Sequence, residues 1–142
     1  MSEAPVIRIA AAVIVDDAGR TLLVRKRGTA AFMQAGGKLG PGEAPLDALR
    51  REIREELGCE IGAGSRPLGR FSAPAANEPG RIVEADLFAV TLAGDIQPAA
   101  EIEDALWHDP DDIASIVLAP LTRDHVLPLA RDLRRSICNS AA

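Results

Sequence analysis

Three carboxylates crowd one short stretch of this 142-residue chain. Glu52, Glu55 and Glu56 belong to the run Arg51-Glu52-Ile53-Arg54-Glu55-Glu56. Directly upstream lies a glycine-rich turn, Gly36-Gly37-Lys38-Leu39-Gly40-Pro41-Gly42. On a helix advancing about 100° per residue, the three glutamates fall on one arc of roughly 100°. Glu52 is then a surface neighbour of both others, and like charges so spaced cost a few tenths of a kcal/mol each. Arg50, Arg51 and Arg54 offset part of that cost. A solvated face would more often alternate its signs. The crowding becomes favourable when a hard divalent cation sits among the carboxylates, because Mg2+ or Mn2+ takes oxygen ligands. A plain charged helix turned to water is the alternative, and the glycine turn beside it argues for the metal.

These side chains need a helix, and the sequence bounds one. Pro45 suits a first helical position and Gly58 the residue just past the end. Leu46, Leu49, Ile53 and Leu57 share a stripe that can face a core. Before it, Val6 to Val15 reads as a buried strand, Asp16 to Arg20 as a turn, and Thr21 to Arg27 as a returning second strand. Arg25, Lys26 and Arg27 end that strand. Alternation aims one or two of them at a phosphate held by the turn, with Arg25 and Arg27 the candidates and the register left open. Phe32 to Ala35 leads into the glycines as an extended segment. Lys38 is either an exposed turn residue or a phosphate contact. Glu43 stands near the positive end of the helix, where a carboxylate is stabilised in any case.

Beyond the helix, Leu68 to Phe71 reads as a strand and Ala73 to Gly80 as a loop. Arg81 to Leu92 reads as a further strand, antiparallel to the one before it. Glu101, Glu103 and Asp104 form a second acidic patch ahead of a short strand, Leu106 to His108. Asp109 to Ile113 suggests a capped helical turn. Thr122 to Ile137 is an amphipathic helix that Pro128 should kink or split. His108 and His125 have no metal-ligand partner at helical spacing and read as structural or exposed.

Composition sets outer limits. Apolar residues make up 47% and charged residues 26%, as in an ordinary soluble globule. A net charge of −5 argues against a nucleic-acid polymer or a membrane surface as partner. Cys59 and Cys138 make no disulfide framework or metal spacing, no apolar run is long enough for a membrane span, and the N-terminus lacks a secretory layout. The expected location is cytoplasmic.

The positions Gly37, Glu43, Arg51, Glu52, Ile53, Glu55, Glu56, Gly58 and Cys59 follow a fixed spacing: glycine, five residues, Glu, seven residues, then Arg-Glu-aliphatic-x-Glu-Glu-x-Gly-aliphatic. This resembles the signature of the Nudix hydrolases, MutT-like enzymes acting on a nucleoside diphosphate linked to another group. Cys59 replaces a bulky aliphatic residue and Ala35 a proline that commonly precedes the two glycines. Neither departure touches the carboxylates. Outside Gly37 to Cys59 the match is loose.

The resemblance implies an α/β/α sandwich with a mixed central sheet, one domain over residues 1–142. It implies Glu52 and Glu56 as principal ligands of Mg2+ (or Mn2+), Glu55 as a further ligand, and the Gly37 carbonyl completing the shell. Glu43 and Arg51 would brace loop and helix against each other. Gly36, Gly37 and Lys38 would lie along the diphosphate. Glu101, with Glu103 second, holds the place of an acidic residue that orients or deprotonates the attacking water, a role one of the helix glutamates could also fill. A homodimer is common among such proteins. The expected activity is Mg2+-dependent hydrolysis of a phosphoanhydride in a small nucleotide. A nucleotide sensor that binds without cleaving is the alternative, and the intact set of three glutamates speaks against it. Prenyl diphosphate isomerisation is disfavoured by the short chain and by the absence of a cysteine near the turn.

Overall fold

A computed structural model describes residues 6–141, with side chains through Ile137. The leading segment 1–5 and the Cys138 side chain lie outside the described residues, whereas Cys59 is a buried free thiol. The chain forms β1 (Val6–Val13), β2 (Thr21–Lys26), β3 (Gly36–Lys38), α1 (Pro45–Leu57), β4 (Glu60–Ile61), β5 (Arg66–Pro74), β6 (Ile82–Ala89), β7 (Leu92–Ala93), β8 (Ile102–His108) and α2 (Leu127–Ala141). The main sheet runs in the order β3-β1-β6-β5. β1 pairs in parallel with β6 and antiparallel with β3, and β5 pairs antiparallel with β6, so the sheet is mixed.

Strand alternation in β1 divides the core. Ala10, Ala12 and Ile14 pack with Ala48, Leu49, Ile53 and Leu57 of α1. Ala11 and Val13 pack with Ala85, Leu87, Leu121, Val126 and Ala130 on the opposite side. A period of two along one strand thus fixes a helix layer on each face of the sheet. The alanines of β1 carry little side-chain volume, and Ala10 and Ala11 are the residues that pair with Gly37 and Gly36 of the glycine turn.

α1 has the expected bounds. Pro45 begins it, and Gly58 closes it at φ 64°, a left-handed cap whose N–H donates to the Arg54 carbonyl. Pro128 acts as expected, with the break falling just ahead of it. Thr122–Val126 winds as a wider π-helical turn, and the Leu127 N–H donates to the Thr122 carbonyl five residues back. Proline has no N–H to donate one turn back, and the widened turn absorbs that loss.

Other elements differ from expectation. β2 touches the segment just past β1 through the Val15–Thr21 bridge and the Leu22 N–H to Ile14 carbonyl bond, bridges Met33 at Val24, and pairs along its length with β8. β8 begins at Ile102, so Glu103 and Asp104 lie in a strand, where Asp104 pairs in register with Arg25. Asp109–Ile113 is a hydrogen-bonded turn without a helix; the Asp111 N–H donates to Asp109 Oδ1 at 2.9 Å. β5 runs on to Pro74, two residues into the expected loop. Among the described residues, no helix is long and apolar enough to cross a membrane.

Candidate active site

The glycine turn is glycine for reasons of space. Gly36 faces Ala11 across the β1–β3 ladder with φ 146°, and a Cβ there would stand 2.3 Å from the Ala10 carbonyl oxygen. A Cβ on Gly37 would stand 2.4 Å from Glu52 Cδ. The bare backbone therefore lets the Glu52 carboxylate press against the turn. Glu56, one helical turn further on, accepts a hydrogen bond from the Gly36 N–H at 3.1 Å. Loop and helix meet through these two glutamates.

Arg51 ties the outer side of the unit. Its Nε and Nη2 donate to the two oxygens of Glu43, at 3.0 and 2.8 Å. Its Nη1 donates to Glu52 at 2.8 Å, and its Nη2 also reaches the Lys38 carbonyl at 3.1 Å. Glu43 Oε1 accepts from the Gly40 N–H at 2.8 Å. The Arg51 bond, then the Gly40 N–H, hold the Glu43 carboxyl at about 2, well below its usual range. The same contacts with Glu43 and Glu52 push the Arg51 guanidinium further up.

Glu56 lies in the opposite environment. It is only 6% exposed, and burial raises its pKa to about 7 against the pull of the Gly36 N–H and of Lys26. Glu52 and Glu55 add to the rise through like charge. Its Oε2 has no protein hydrogen-bond partner among the described residues. A buried carboxylate with a spare oxygen, next to two further carboxylates, is poised for a cation or a proton.

These groups open into a cleft of about 410 Å³. Glu52, Glu55, Glu56, Gly36, Gly37 and Lys38 line one wall, Glu101 sits at its rim, and Ile7, Ile9 and Val83 make an apolar part. Glu101 is placed by its neighbours: its carbonyl accepts from the Arg27 N–H, and the Ala99 N–H donates to the Glu56 carbonyl. Ala100 between them is held at φ 54°, the one non-glycine residue with positive φ among those described. Such left-handed backbone costs about 1–2 kcal/mol and persists only where its surroundings enforce it.

The structure thus brings together Gly36, Gly37, Lys38, Glu52, Glu55, Glu56 and Glu101, with Glu43 and Arg51 bracing from behind. It does not bring Arg25 or Arg27 there. Arg25 is ion-paired with Asp104 and caps the Thr29 carbonyl, and Arg27 pairs with Glu103 at 3.3 Å. Lys26 is the basic residue of that strand end that lines the cleft. The β2–β8 register shifts between Arg25 and Lys26, an irregularity that simple alternation cannot supply. Gln34 also lines the cleft, as do Asn77 and Glu78. Glu78 reaches Lys38 Nζ at 3.2 Å and Arg81 at 2.8 Å. Gln34 carries no charge or motif that would mark it in the sequence. Among the aromatics, Phe32 lies near Arg25 and Phe71 against His125, and neither lines the cleft.

Among the described residues, no three His, Cys, Asp or Glu side chains converge as a ready-made metal cage. The donors nevertheless fit a hard cation in an open site. Mg2+ keeps several waters and takes one or two carboxylates plus substrate phosphates. Glu52 in its glycine cradle and Glu56 with its free oxygen would hold it, with Glu55 nearby and the Gly37 carbonyl in reach of the same wall.

A glutamate-rich helix fed by a glycine turn, on a mixed sheet between two helical layers, defines a pyrophosphohydrolase-type site. The NUDIX domain model matches residues 6–130, and the chain belongs to the Nudix hydrolase family. Over 119 residues it is 32% identical to the CTP pyrophosphohydrolase of Escherichia coli strain K12, covering 80% of this chain and 84% of that protein. The solution structure of the E. coli ORF135 protein is similar with a TM-score of 0.72 and 30% identity, covering 94% of each chain. The crystal structure of a MutT NUDIX hydrolase from Burkholderia pseudomallei shares the fold, with a TM-score of 0.70 and 23% identity over 90% of this chain and 97% of that one.

Proposed function

We propose that this Nudix pyrophosphohydrolase cleaves, with Mg2+, the phosphoanhydride of a nucleoside diphosphate linked to a further group, with a nucleoside triphosphate as the first substrate to test. The observation that carries the reading is the single cleft wall on which Glu52, Glu56 and the Gly36-Gly37 backbone stand, with Lys26 and Lys38 beside them. The name of the E. coli relative makes CTP the leading candidate.

When bound, the cation supplies Lewis-acid neutralisation of the diphosphate and acidifies a water. Glu52 and Glu56 would hold it, with Glu55 and the Gly37 carbonyl as further donors, and Lys26 and Lys38 would take up remaining phosphate charge. The Gly36 and Gly37 backbone admits the diphosphate closely because no side chain intervenes. Glu101 at the rim orients or deprotonates the water that attacks phosphorus. The new bond joins water oxygen to phosphorus, the anhydride P–O bond breaks, and the leaving phosphate departs with its electron pair. Arg51 and Glu43 keep the turn and helix in register throughout.

The test is a screen of the purified chain against dNTPs, NTPs, ADP-ribose, NADH, dinucleoside polyphosphates and capped RNA, with and without Mg2+. Mg2+-dependent turnover that Glu56→Gln abolishes is expected. Tight calorimetric binding of a nucleotide with no product by chromatography would replace this reading with a sensor.

A further inference from the structure

Gln34 is a neutral polar side chain sunk into the cleft wall, 6% exposed, two residues before Gly36. Its Oε1 accepts a hydrogen bond from Thr122 Oγ1 at 2.8 Å. Thr122 is itself fully buried, on the widened turn ahead of α2. Neither residue belongs to the glycine-glutamate unit, and they lie far apart in sequence. Their bond fastens the amide from behind. The carbonyl end is occupied, and Nε2 has no protein partner among the described residues.

A donor so placed is ill suited to the diphosphate, whose charge is met by cations. It suits a neutral acceptor. In a pocket with apolar walls, here Ile7, Ile9, Met33 and Val83, one or two fixed polar groups set the orientation of a flat ligand and choose among its relatives. Exocyclic carbonyls of this kind occur on cytosine, uracil and hypoxanthine, whereas adenine carries an amine in place of the hypoxanthine carbonyl. A site built to hydrogen-bond one group discriminates against the analogue that lacks it, because the buried partner is then left unpaired.

We propose that Gln34, held in place by Thr122, is a base-reading donor that favours nucleotides with a carbonyl-bearing base over adenine nucleotides. This rests on the reading of the cleft as a nucleotide site, and it concerns recognition alone. Lys26 and the glutamates serve any nucleotide; Gln34 chooses which.

The experiment is calorimetric titration with CMP, UMP, IMP and AMP in the absence of divalent ions, so that no turnover is needed. The wild-type chain is expected to bind the three carbonyl-bearing nucleotides about tenfold tighter than AMP, the scale of one hydrogen bond to a buried donor. Gln34→Leu should bring IMP and AMP to within about twofold of each other. Thr122→Val preserves side-chain shape while removing the tether, and should shrink the preference by a smaller factor. AMP binding as tightly as IMP to the wild type, or a preference that survives both substitutions, would overturn the proposal. Glu56→Gln, titrated in the same way and assayed separately for turnover of Mg2+-CTP, separates the two claims: lost hydrolysis with an intact base preference leaves the base-reading assignment standing, and an intact preference in a wild type that turns over no substrate removes only the hydrolase reading.

Discussion

Glu43 and Glu56 belong to one loop-helix unit, yet their surroundings drive them in opposite directions. At the outer side, Arg51 and the Gly40 N–H hold Glu43 at about 2. At the inner side, burial raises Glu56 to about 7 with no cation in hydrogen-bond contact. The first carboxylate has its charge fully answered by the protein, and it braces. The second has a charge the protein leaves largely unanswered, and it is available for chemistry. Glu52 stands between them, with one oxygen on Arg51 and its carboxylate against Gly37.

The sharpest way to break this contrast is to neutralise each carboxylate in turn. Glu56→Gln should lower kcat/KM on Mg2+-CTP by about 10²–10⁴-fold, the scale for losing a group at the reacting centre. Glu43→Gln should lower it by about 10–100-fold, as expected for a residue that orients ligands without touching the cation. Equal losses at the two positions would erase the distinction.

The same contrast predicts opposed pH dependences in the metal-free protein. Glu56 has a folded value of about 7 against an ordinary 4.5, so the native state holds its proton more tightly than the unfolded chain. That contribution is fully present below about pH 4.5 and is lost as the pH rises through about 7. Relative to Glu56→Gln, the wild type should therefore lose about 3 kcal/mol of stability across that window, read from urea midpoints at each pH. Glu43 acts with the other sign, its contribution present above 4.5 and lost as the pH falls toward about 2. Parallel stability curves for the wild type and Glu56→Gln would count against a buried, raised Glu56.

The two glycines offer a third comparison. Gly36→Ala drives a Cβ into the backbone of β1, at 2.3 Å from the Ala10 carbonyl, and should cost about 1–3 kcal/mol of stability. The atoms nearest a Cβ at Gly37→Ala are the end of the Glu52 side chain, which is flexible, whereas at Gly36→Ala the nearest are backbone. The stability of Gly37→Ala should change by less than about 1 kcal/mol while Mg2+ affinity falls by about tenfold. Thermal denaturation and metal titration on both variants decide this.

The smallest effects belong to the basic strand end. Arg25→Ala and Arg27→Ala remove partly exposed ion pairs with Asp104 and Glu103, worth about 0–1 kcal/mol, and should leave KM within about twofold. Lys26→Met should raise KM by more than either. A larger KM effect from Arg25 or Arg27 would return them to the cleft.

These residues also show how far the sequence could be read. The helix was legible because Pro45 and Gly58 carry their own backbone chemistry, and the glutamates because helical geometry follows from spacing. The sandwich layering followed from the family resemblance alone, because three consecutive alanines, Ala10 to Ala12, carry no alternation that separates one face from the other in the sequence. Lys26 was hidden because its orientation depends on a register shift against β8, a strand far along the chain. The parallel pairing of β1 with β6 was hidden for the same reason, since nothing local to either strand specifies its partner. Gln34 was hidden because its meaning comes from Thr122, 88 residues away.

The central claim is that Glu56 and Glu52 hold a divalent cation at the glycine turn. Titration of Mn2+ into the wild type and Glu56→Gln, followed by the electron paramagnetic resonance of free Mn2+, tests it without any substrate. Saturable binding by the wild type is expected, weakened by at least about tenfold in Glu56→Gln. Equal Mn2+ binding by the two proteins would contradict it.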